Sequence, residues 1–344
     1  KWILRKEILL FVVLTAFVTV MMFYVFHMKD GLLYSGFSVY GDYAPHTAMM
    51  RSFSRGNNFP TQYPHYGGQD VKYHFMFQFL TGNLEYLGLR LDLGYNLVSI
   101  MSLSGFLMVL YGISYRMFRS FWAGAAAMVF FFFRSGTAFW QYLWENAKAG
   151  NLIQALKENT AFIGYTTNEN WGLWNFNVYL NQRHLAFGLL IVAVAVWIFM
   201  DWVEAGCGHK EHGWLWIRKR IFSKEAWAFR NVEIAILLGL FLGLTAFWNG
   251  AALIGGLLIL AGFAVFSDGK LDYAVCAALA VFFSELQSKI FVSGSVMSPS
   301  FYWGFLAENK SISGVLWYLV EISGFFFVGL VVASVFFKRN ERVV

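Results

Sequence analysis

Charged residues are scarce in this sequence. Aspartate, glutamate, lysine and arginine make up 13% of the 344 residues, whereas 58% are hydrophobic and 20% are aromatic. A soluble domain is about 25% charged, and a disordered chain combines low hydrophobicity with high net charge, so the composition excludes both classes. Two cysteines cannot build a disulfide framework, and four prolines leave no proline-rich linker. What remains is a membrane protein that crosses the bilayer several times.

Long apolar runs account for most of the hydrophobic content. A helix needs about 20 apolar residues to cross the hydrocarbon core of a bilayer. Eight segments meet or approach this length: 8–27, 94–115, 121–134, 184–203, 232–248, 250–267, 271–290 and 313–336. We therefore expect an all-α polytopic membrane protein with about eight transmembrane helices, which form a single transmembrane domain over residues 1–344. The fairly apolar segment 73–89 is interrupted by polar residues, which favours a juxtamembrane helix in a long first outer loop.

The distribution of basic residues predicts how the chain is oriented. The connection 204–231 holds Lys210, Arg218, Lys219, Arg220, Lys224 and Arg230. Basic loops stay on the cytoplasmic side, so we expect a basic cytoplasmic loop at 204–231, cytoplasmic termini, and outer loops at 28–93 and 135–183. The net charge of +6 then reports orientation, and no nucleic acid is expected as a partner. The first segment lacks a small-residue cleavage site, which favours an uncleaved anchor. A prokaryotic plasma membrane is the expected location, with membrane lipid as a partner.

The first outer loop is predicted to contain a short amphipathic helix beside a carboxylate. Pro45 suits the first turn of a helix, and Gly56 suits its end. From His46 onward, apolar residues recur every three to four positions, which is typical of a helix that lies on a membrane surface. Asp42 precedes this helix, near the positive end of its dipole, where a carboxylate can accept a proton from a hydroxyl. The alternative is that Asp42 only caps the helix and His46 only packs.

Residues around this helix form a pattern that resembles a known family. In chain order they are Asp42, Ala48, Arg51, Gly56, Pro60, Pro64, an aromatic-rich helix from Tyr73 to Leu87-Gly88, and a span from Asn96 to Arg116-Met117-Phe118-Arg119. Further on, the Gly- and Leu-rich segment from Leu238 to Gly250 looks like the fifth helix of that family. The pattern resembles the GT-C membrane glycosyltransferases, which include protein O-mannosyltransferases, lipid A aminoarabinose transferases and RgtA/B/C/D-like enzymes. The resemblance is clearest over residues 1–135.

The resemblance implies a GT-C-like fold that transfers a sugar from a polyprenyl-phosphate donor to an acceptor hydroxyl on the outer side, with inversion. Asp42 is then the catalytic base, with His46 beside it, and the acceptor is a glycan, a lipid or a protein. Arginine or lysine can stabilise the departing phosphate without a metal, so no cofactor is expected. The candidates for binding substrate or phosphate are Arg51, His65, Asp70, Lys72, His74, Arg134, Arg183 and His184.

Three alternatives stay open. A divalent metal could be held by imidazole and carboxylate groups of the first outer loop, which are Asp42, His46, His65, Asp70 and His74, although their spacing is irregular. Glu321 lies near the middle of the last apolar segment, where an ionisable group is costly, and it indicates a proton or ion pathway in a transporter or flippase. The third alternative is a GT-C-like scaffold without catalysis, because Asp42 is a lone carboxylate where the family often has two.

Overall fold

The computed structural model describes residues 2–36, 40–59, 61–133, 137–159, 175–207, 214–291, 301–304 and 306–323, and these are mostly helical. The helices in chain order are α1 (Trp2–Val25), α2 (Tyr40–Gly56), α3 (Met76–Tyr86), α4 (Leu91–Phe118), α5 (Phe121–Phe133), α6 (Thr137–Lys148), α7 (Leu152–Glu158), α8 (Asn175–Asn181), α9 (Arg183–Cys207), α10 (Trp214–Phe222), α11 (Val232–Gly243), α12 (Gly250–Phe266), α13 (Lys270–Phe291) and α14 (Ile312–Ser323). A hairpin of β1 (Phe26–Lys29) and β2 (Leu32–Ser35) follows α1, and a 3₁₀ turn (Glu225–Trp227) precedes α11.

Four of the described helices are long and apolar enough to cross a membrane. They are Arg5–Val25, Leu91–Phe118, Arg183–Gly206 and Lys270–Phe291. Four shorter apolar helices are Phe121–Phe132, Val232–Gly243, Gly250–Phe266 and Ile312–Ser323. The prediction of a helical membrane protein is confirmed at this level, whereas the predicted number of eight spans is not. The last predicted span, 313–336, is described only as far as residue 323.

The described residues divide into two compact units. The first comprises those within Lys1–Ala125 and Tyr179–Val296, and the second comprises those within Ala126–Val178 and Met297–Asn340. In the first unit α4 packs against α1 and α9, α9 packs against α12, and α11 packs against α13. Glycines allow the last contact to be close: a Cβ at Gly239 would lie 2.8 Å from the carbonyl oxygen of Cys276. In the second unit α6 packs against α7 and α14.

The hairpin after α1 is a departure from an all-helical chain. Its strands pair antiparallel, with Phe26 opposite Ser35, and its turn consists of Asp30 and Gly31, which have φ angles of 52° and 77°. An Asp-Gly pair suits a two-residue turn of this kind because both residues tolerate positive φ. Helix α4 holds the first strand, since Nδ2 of Asn96 donates to the carbonyl oxygen of Phe26 at 2.8 Å. The hairpin therefore continues directly from α1 and packs against the first turns of α4.

Helix α2 begins earlier than its proline predicted. It starts at Tyr40, so Pro45 lies inside it and Asp42 lies in its first turn rather than before it. As the sixth residue of the helix, Pro45 costs one backbone hydrogen bond, the one that an amide at this position would donate to the carbonyl oxygen of Gly41. Helix α3 packs closely on α2, and a Cβ at Gly82 would lie 2.6 Å from the carbonyl oxygen of Met50. This packing places the first turn of α2 beside the segment that leads into α3.

Candidate functional site

The first unit contains an open cavity of about 720 Å³ between α2 and the segment that precedes α3. Its lining combines carboxylate, imidazole, amide and aromatic side chains: Asp42, Pro45, His46, Met49, Tyr63, Tyr66, Gln69, Asp70, Lys72, Tyr73, His74, Phe75, Gln78 and Gln182. A cavity of this volume suits an organic ligand, since such sites typically measure about 300–1,000 Å³. We take this cavity as the candidate functional site.

Two amide side chains hold the carboxylate of Asp42. Nε2 of Gln182 donates to Oδ2 of Asp42 at 2.8 Å, and Nδ2 of Asn181 donates to the same oxygen. Asn181 is the last residue of α8, and Gln182 joins α8 to α9, so both amides come from a bend about 140 residues away in the chain. Oδ1 of Asp42 accepts no hydrogen bond from the described residues. The carboxylate is thus oriented through one oxygen and has the other available.

Arg183 holds this bend in place through hydrogen bonds. It is fully buried, with 0% of its surface exposed. Its Nε donates to the hydroxyl oxygen of Tyr43 at 2.9 Å and to the carbonyl oxygen of Leu180 at 3.2 Å, while its terminal nitrogens donate to Oδ1 of Asn96 and to the carbonyl oxygen of Met22. The Tyr43 hydroxyl in turn donates to the carbonyl oxygen of Leu180. One guanidinium therefore joins α1, α2 and α4 to the bend that orients Asp42.

Aromatic rings surround the guanidinium where a carboxylate would be expected. Its central carbon lies 4.5 Å from the ring centre of Tyr95, 5.2 Å from that of Tyr43 and 5.7 Å from that of Phe26. Arg183 forms no salt bridge with any described carboxylate. A buried cation is costly unless it is compensated, and here ring faces and four oxygen acceptors do so. Arg183 therefore packs among these rings and is not one of the residues that line the cavity.

Three histidines and a tyrosine pack together on one side of the cavity. The rings of His74 and His184 lie 4.1 Å apart between centroids, and those of His46 and His184 lie 5.7 Å apart. The hydroxyl of Tyr73 donates to Oε1 of Gln182 at 3.0 Å and lies 3.4 Å from Nε2 of His184. Because Gln182 also binds Asp42, the tyrosine and the carboxylate share one amide side chain. The cluster and Asp42 thus form one connected polar network.

Burial keeps His46, Tyr73 and His74 uncharged at neutral pH. Burial lowers the pKa of His46 to about 4, although the charge of Asp42 opposes the shift. Burial also lowers the pKa of His74 to about 4, with His46 adding to the effect. Burial and the charge of Asp42 raise the pKa of Tyr73 to about 12. The imidazoles and the phenol therefore act as neutral hydrogen-bonding groups beside a carboxylate.

Two polar atoms of the lining have no hydrogen-bond partner among the described residues. They are Nε2 of His74 and Oε1 of Gln78, whose side chain is 2% exposed. A buried polar atom without a partner costs about 1–3 kcal/mol. The wall therefore contains two buried polar atoms whose desolvation is not compensated by the described residues, one of them on the ring that packs against Tyr73.

The structure brings several of the predicted site residues together and separates others. Those that line the cavity are Asp42, His46, Asp70, Lys72 and His74, with His184 packed behind His74. His65 is exposed against the ring of Tyr63 and is not part of the lining. Arg51 forms an ion pair with Glu85 of α3, with 3.0 Å between Nε and Oε1, so it joins α2 to α3. Arg134 lies outside the described residues.

Sequence reasoning missed Asn181, Gln182 and Gln78. An uncharged amide in a mostly apolar chain carries no motif, and the first two follow a long connection. One signal was present: an Asn-Gln-Arg-His run stands directly before a span, and polar residues at that position need partners. That run contains both amides that bind Asp42, together with Arg183.

The sequence suggests two alternative sites, a metal site in the first outer loop and an ion pathway at Glu321. No group of three or more His, Cys, Asp or Glu side chains among the described residues is arranged to hold a metal ion. Glu321 belongs to the second unit, is half-buried, and accepts a hydrogen bond from Nε1 of Trp317 at 2.8 Å, one turn earlier on α14. This contact within a single helix does not by itself define an ion pathway.

Comparisons with known proteins add no assignment to this geometry. No protein-family model matches the chain, and neither the curated proteins nor the solved structures contain a match.

Proposed function

We propose that the protein is a membrane glycosyltransferase of the GT-C type, which moves a sugar from a polyprenyl-phosphate donor to an acceptor hydroxyl with inversion. One observation carries the proposal: the oriented carboxylate of Asp42 on the wall of a cavity of about 720 Å³. A general base must be held in position with an oxygen available to the proton that it removes. The arrangement of Asp42 meets both conditions.

In the proposed reaction the free oxygen of Asp42 takes the proton of the acceptor hydroxyl. The hydroxyl oxygen forms a bond to the anomeric carbon of the sugar, and the bond from that carbon to the phosphate oxygen breaks on the opposite face. The electron pair leaves with the polyprenyl phosphate. Neutral donors and acceptors on His46, Tyr73 and His74 suit the hydroxyls of a sugar, since none of these groups carries a competing charge.

The departing phosphate needs a positive charge, and Lys72 is the lining residue that provides one. It is exposed and forms no ion pair with the part of the chain that the structure describes. Arg183 and Arg51 are less suited to this task, because one is enclosed by aromatic rings and the other is paired with Glu85. Lysine binds phosphate as a point charge. We assign the phosphate contact to Lys72.

The membrane setting of the proposal follows the distribution of charge. The cavity belongs to the first outer loop, with both termini on the cytoplasmic side, and a prokaryotic plasma membrane supplies the lipid-linked donor. The polyprenyl tail would lie in the bilayer beside the apolar helices. The acceptor is a glycan, lipid or protein that presents a hydroxyl at the outer surface, and no nucleic acid takes part.

The test is turnover of Asp42→Asn in purified protein. Asparagine keeps an oxygen for the amides of Asn181 and Gln182 but has no negative charge with which to take a proton. The substrates are labelled polyprenyl-phosphate hexoses and pentoses with an extract of cell-envelope acceptors, and the readout is released polyprenyl phosphate. We expect kcat to fall about 10²- to 10⁴-fold. Asp30→Asn, in the exposed hairpin turn, is the matched control and should keep wild-type turnover.

A second variant separates the base from the phosphate contact. Lys72→Gln should raise KM for the donor more than it lowers the maximum rate, because it removes a charge that binds the donor phosphate. Wild-type turnover in Asp42→Asn would disprove the assignment of the base. No release of polyprenyl phosphate by the wild type from any donor in the panel would reject the proposed reaction.

A further inference from the structure

Helix α10 is anchored through one face. Its Trp216 stacks on Phe266 at the end of α12, with 6.2 Å between ring centroids. Arg220, one turn later, is 3% exposed, forms a salt bridge with Asp268, and donates to the carbonyl oxygen of Gly206. Residues four apart share a helix face, so Trp216 and Arg220 define the packed side of α10.

The anchors lie at the ends of apolar helices. Gly206 is the last residue of the candidate span Arg183–Gly206, and Phe266 is the last residue of the apolar helix Gly250–Phe266. Asp268 lies two residues before the span Lys270–Phe291. Helix α10 is therefore held where apolar helices end, which is the level of the boundary between hydrocarbon and lipid headgroups.

The opposite face of α10 is exposed and mixes large apolar side chains with a cation. Trp214 is 72% exposed, Leu215 is 62% exposed and Phe222 is 76% exposed. Arg218 is also exposed and lies between them on the helix surface, since successive residues are rotated by about 100°. Large exposed aromatic residues next to arginine are typical of helices that lie in a membrane interface.

Positive charge continues beyond the helix. Residues 214–230 contain five lysines and arginines and one carboxylate, Glu225. Arg220 is neutralised by Asp268, whereas Arg218 and Lys224 form no ion pair with any described residue. The following segment exposes two more aromatic residues, Trp227 and Phe229, by about half. The net exposed charge of residues 214–230 is therefore positive and lies among aromatic side chains.

We propose that Trp214, Leu215, Arg218, Phe222 and Lys224 form a binding surface for anionic phospholipid headgroups, here named the α10 surface. The apolar side chains enter the acyl boundary while the two cations contact headgroup phosphates. Charge complementarity selects an anionic lipid, and the position at the helix ends places that lipid in the adjoining leaflet. The inference is independent of the proposed glycosyl transfer, because none of these residues belongs to the cavity.

The test is the lipid preference of the full-length protein in bilayers. The protein is reconstituted in phosphatidylcholine bilayers that contain either spin-labelled phosphatidylglycerol or spin-labelled phosphatidylcholine, and electron paramagnetic resonance gives the immobilised fraction of each label. Each interfacial cation is expected to favour the anionic lipid about fivefold. Arg218→Gln should therefore lower the preference for phosphatidylglycerol up to about fivefold, and the double variant with Lys224→Gln should lower it further.

Lys157→Gln is the matched control. Lys157 is an exposed lysine in the last turn of α7, so its replacement removes one positive charge elsewhere and should leave the preference unchanged. The preference of the wild type should also weaken as the ionic strength rises from about 0.05 M to about 0.5 M. Equal immobilisation of both lipids by the wild type would overturn the proposal. So would a double variant with the wild-type preference, or an equal loss in Lys157→Gln.

Discussion

Replacing Tyr43 by phenylalanine tests whether the buried hydrogen bonds that join Tyr43, Arg183 and Leu180 stabilise the fold. Tyr43 is 2% exposed, and its hydroxyl bonds both Nε of Arg183 and the carbonyl oxygen of Leu180. The substitution keeps the ring, with its edge contacts to Phe26 and Tyr95, and removes the hydroxyl alone. Any change in stability then reports the two hydrogen bonds rather than lost packing.

The magnitude follows from those two bonds. The bond from Arg183 has a charged donor and contributes about 1.5–3 kcal/mol. The bond to Leu180 is neutral and contributes about 0.5–1.5 kcal/mol. Its loss lies at the low end of that range, because Nε of Arg183 also donates to the same carbonyl at 3.2 Å. We expect Tyr43→Phe to lower the free energy of unfolding by about 2–4 kcal/mol.

Denaturant titration of the purified protein in detergent micelles, followed by circular dichroism, measures the effect. Tyr86→Phe is the control, because Tyr86 is 74% exposed on α3 and its loss should change stability by less than about 0.5 kcal/mol. A loss in Tyr43→Phe no larger than that of the control would refute the reasoning that the hydroxyl compensates the buried guanidinium.

Two further predictions concern packing and pH. Gly82→Ala should lower the free energy of unfolding by about 1–3 kcal/mol, because its methyl group would lie 2.6 Å from the carbonyl oxygen of Met50. Gly262→Ala is the control: its methyl group would have no neighbouring atom within 4 Å, so the same titration should show no such loss. Burial lowers the pKa of His46 and His74 from 6.5 to about 4. Between these pH values the unfolded chain therefore binds more protons than the folded protein. The stability that these two histidines contribute is complete above pH 6.5 and is lost as the pH falls towards 4. Titrations at about pH 5 and about pH 7.5 should show a slope of up to about 1.4 kcal/mol per pH unit for each histidine, and an unchanged slope in His74→Asn would contradict this account.

The long helices could be predicted from sequence because their signal is local. The predicted segments 94–115, 184–203 and 271–290 lie within α4, α9 and α13. In a bilayer each backbone group must find its partner within its own segment, so an apolar run of sufficient length predicts a helix without knowledge of its neighbours. The predicted segment 232–248 is longer than the helix that forms there, since α11 ends at Gly243. Asn249 then accepts a hydrogen bond from the backbone amide of Ala252 and begins α12.

The hairpin and the start of α2 show where a search for apolar periodicity fails. The Asp30-Gly31 pair is a strong local signal for a hairpin turn, but the apolar pattern predicts only an outer loop over residues 28–93. Pro45 predicts a helix start, yet α2 begins five residues earlier and accepts the loss of one backbone hydrogen bond at the proline. Both errors arise because turn chemistry depends on two or three residues rather than on a repeated pattern.

The candidate site was only partly predictable. Asp42, His46 and His74 belong to one segment of sequence, and the structure brings them to one cavity. The orientation of Asp42 depends on Gln182, which is 140 residues away. The position of Arg183 at the start of a span predicts a phosphate ligand, yet its guanidinium is enclosed by three aromatic rings. Its position in the sequence predicted its importance but not the groups that it contacts.

The sequence by itself determined the class of protein and the segments that form its long helices, because hydrophobicity and helix length are properties of continuous stretches of chain. Its scarcity of charge also singles out the few polar residues that are candidates for function. Only the tertiary structure decided which of them meet: Asp42 with the amides before α9, the histidines with Tyr73, and Arg183 with its aromatic rings. Those contacts depend on how separate helices pack, and packing is decided by the shapes of distant side chains rather than by their order in the chain.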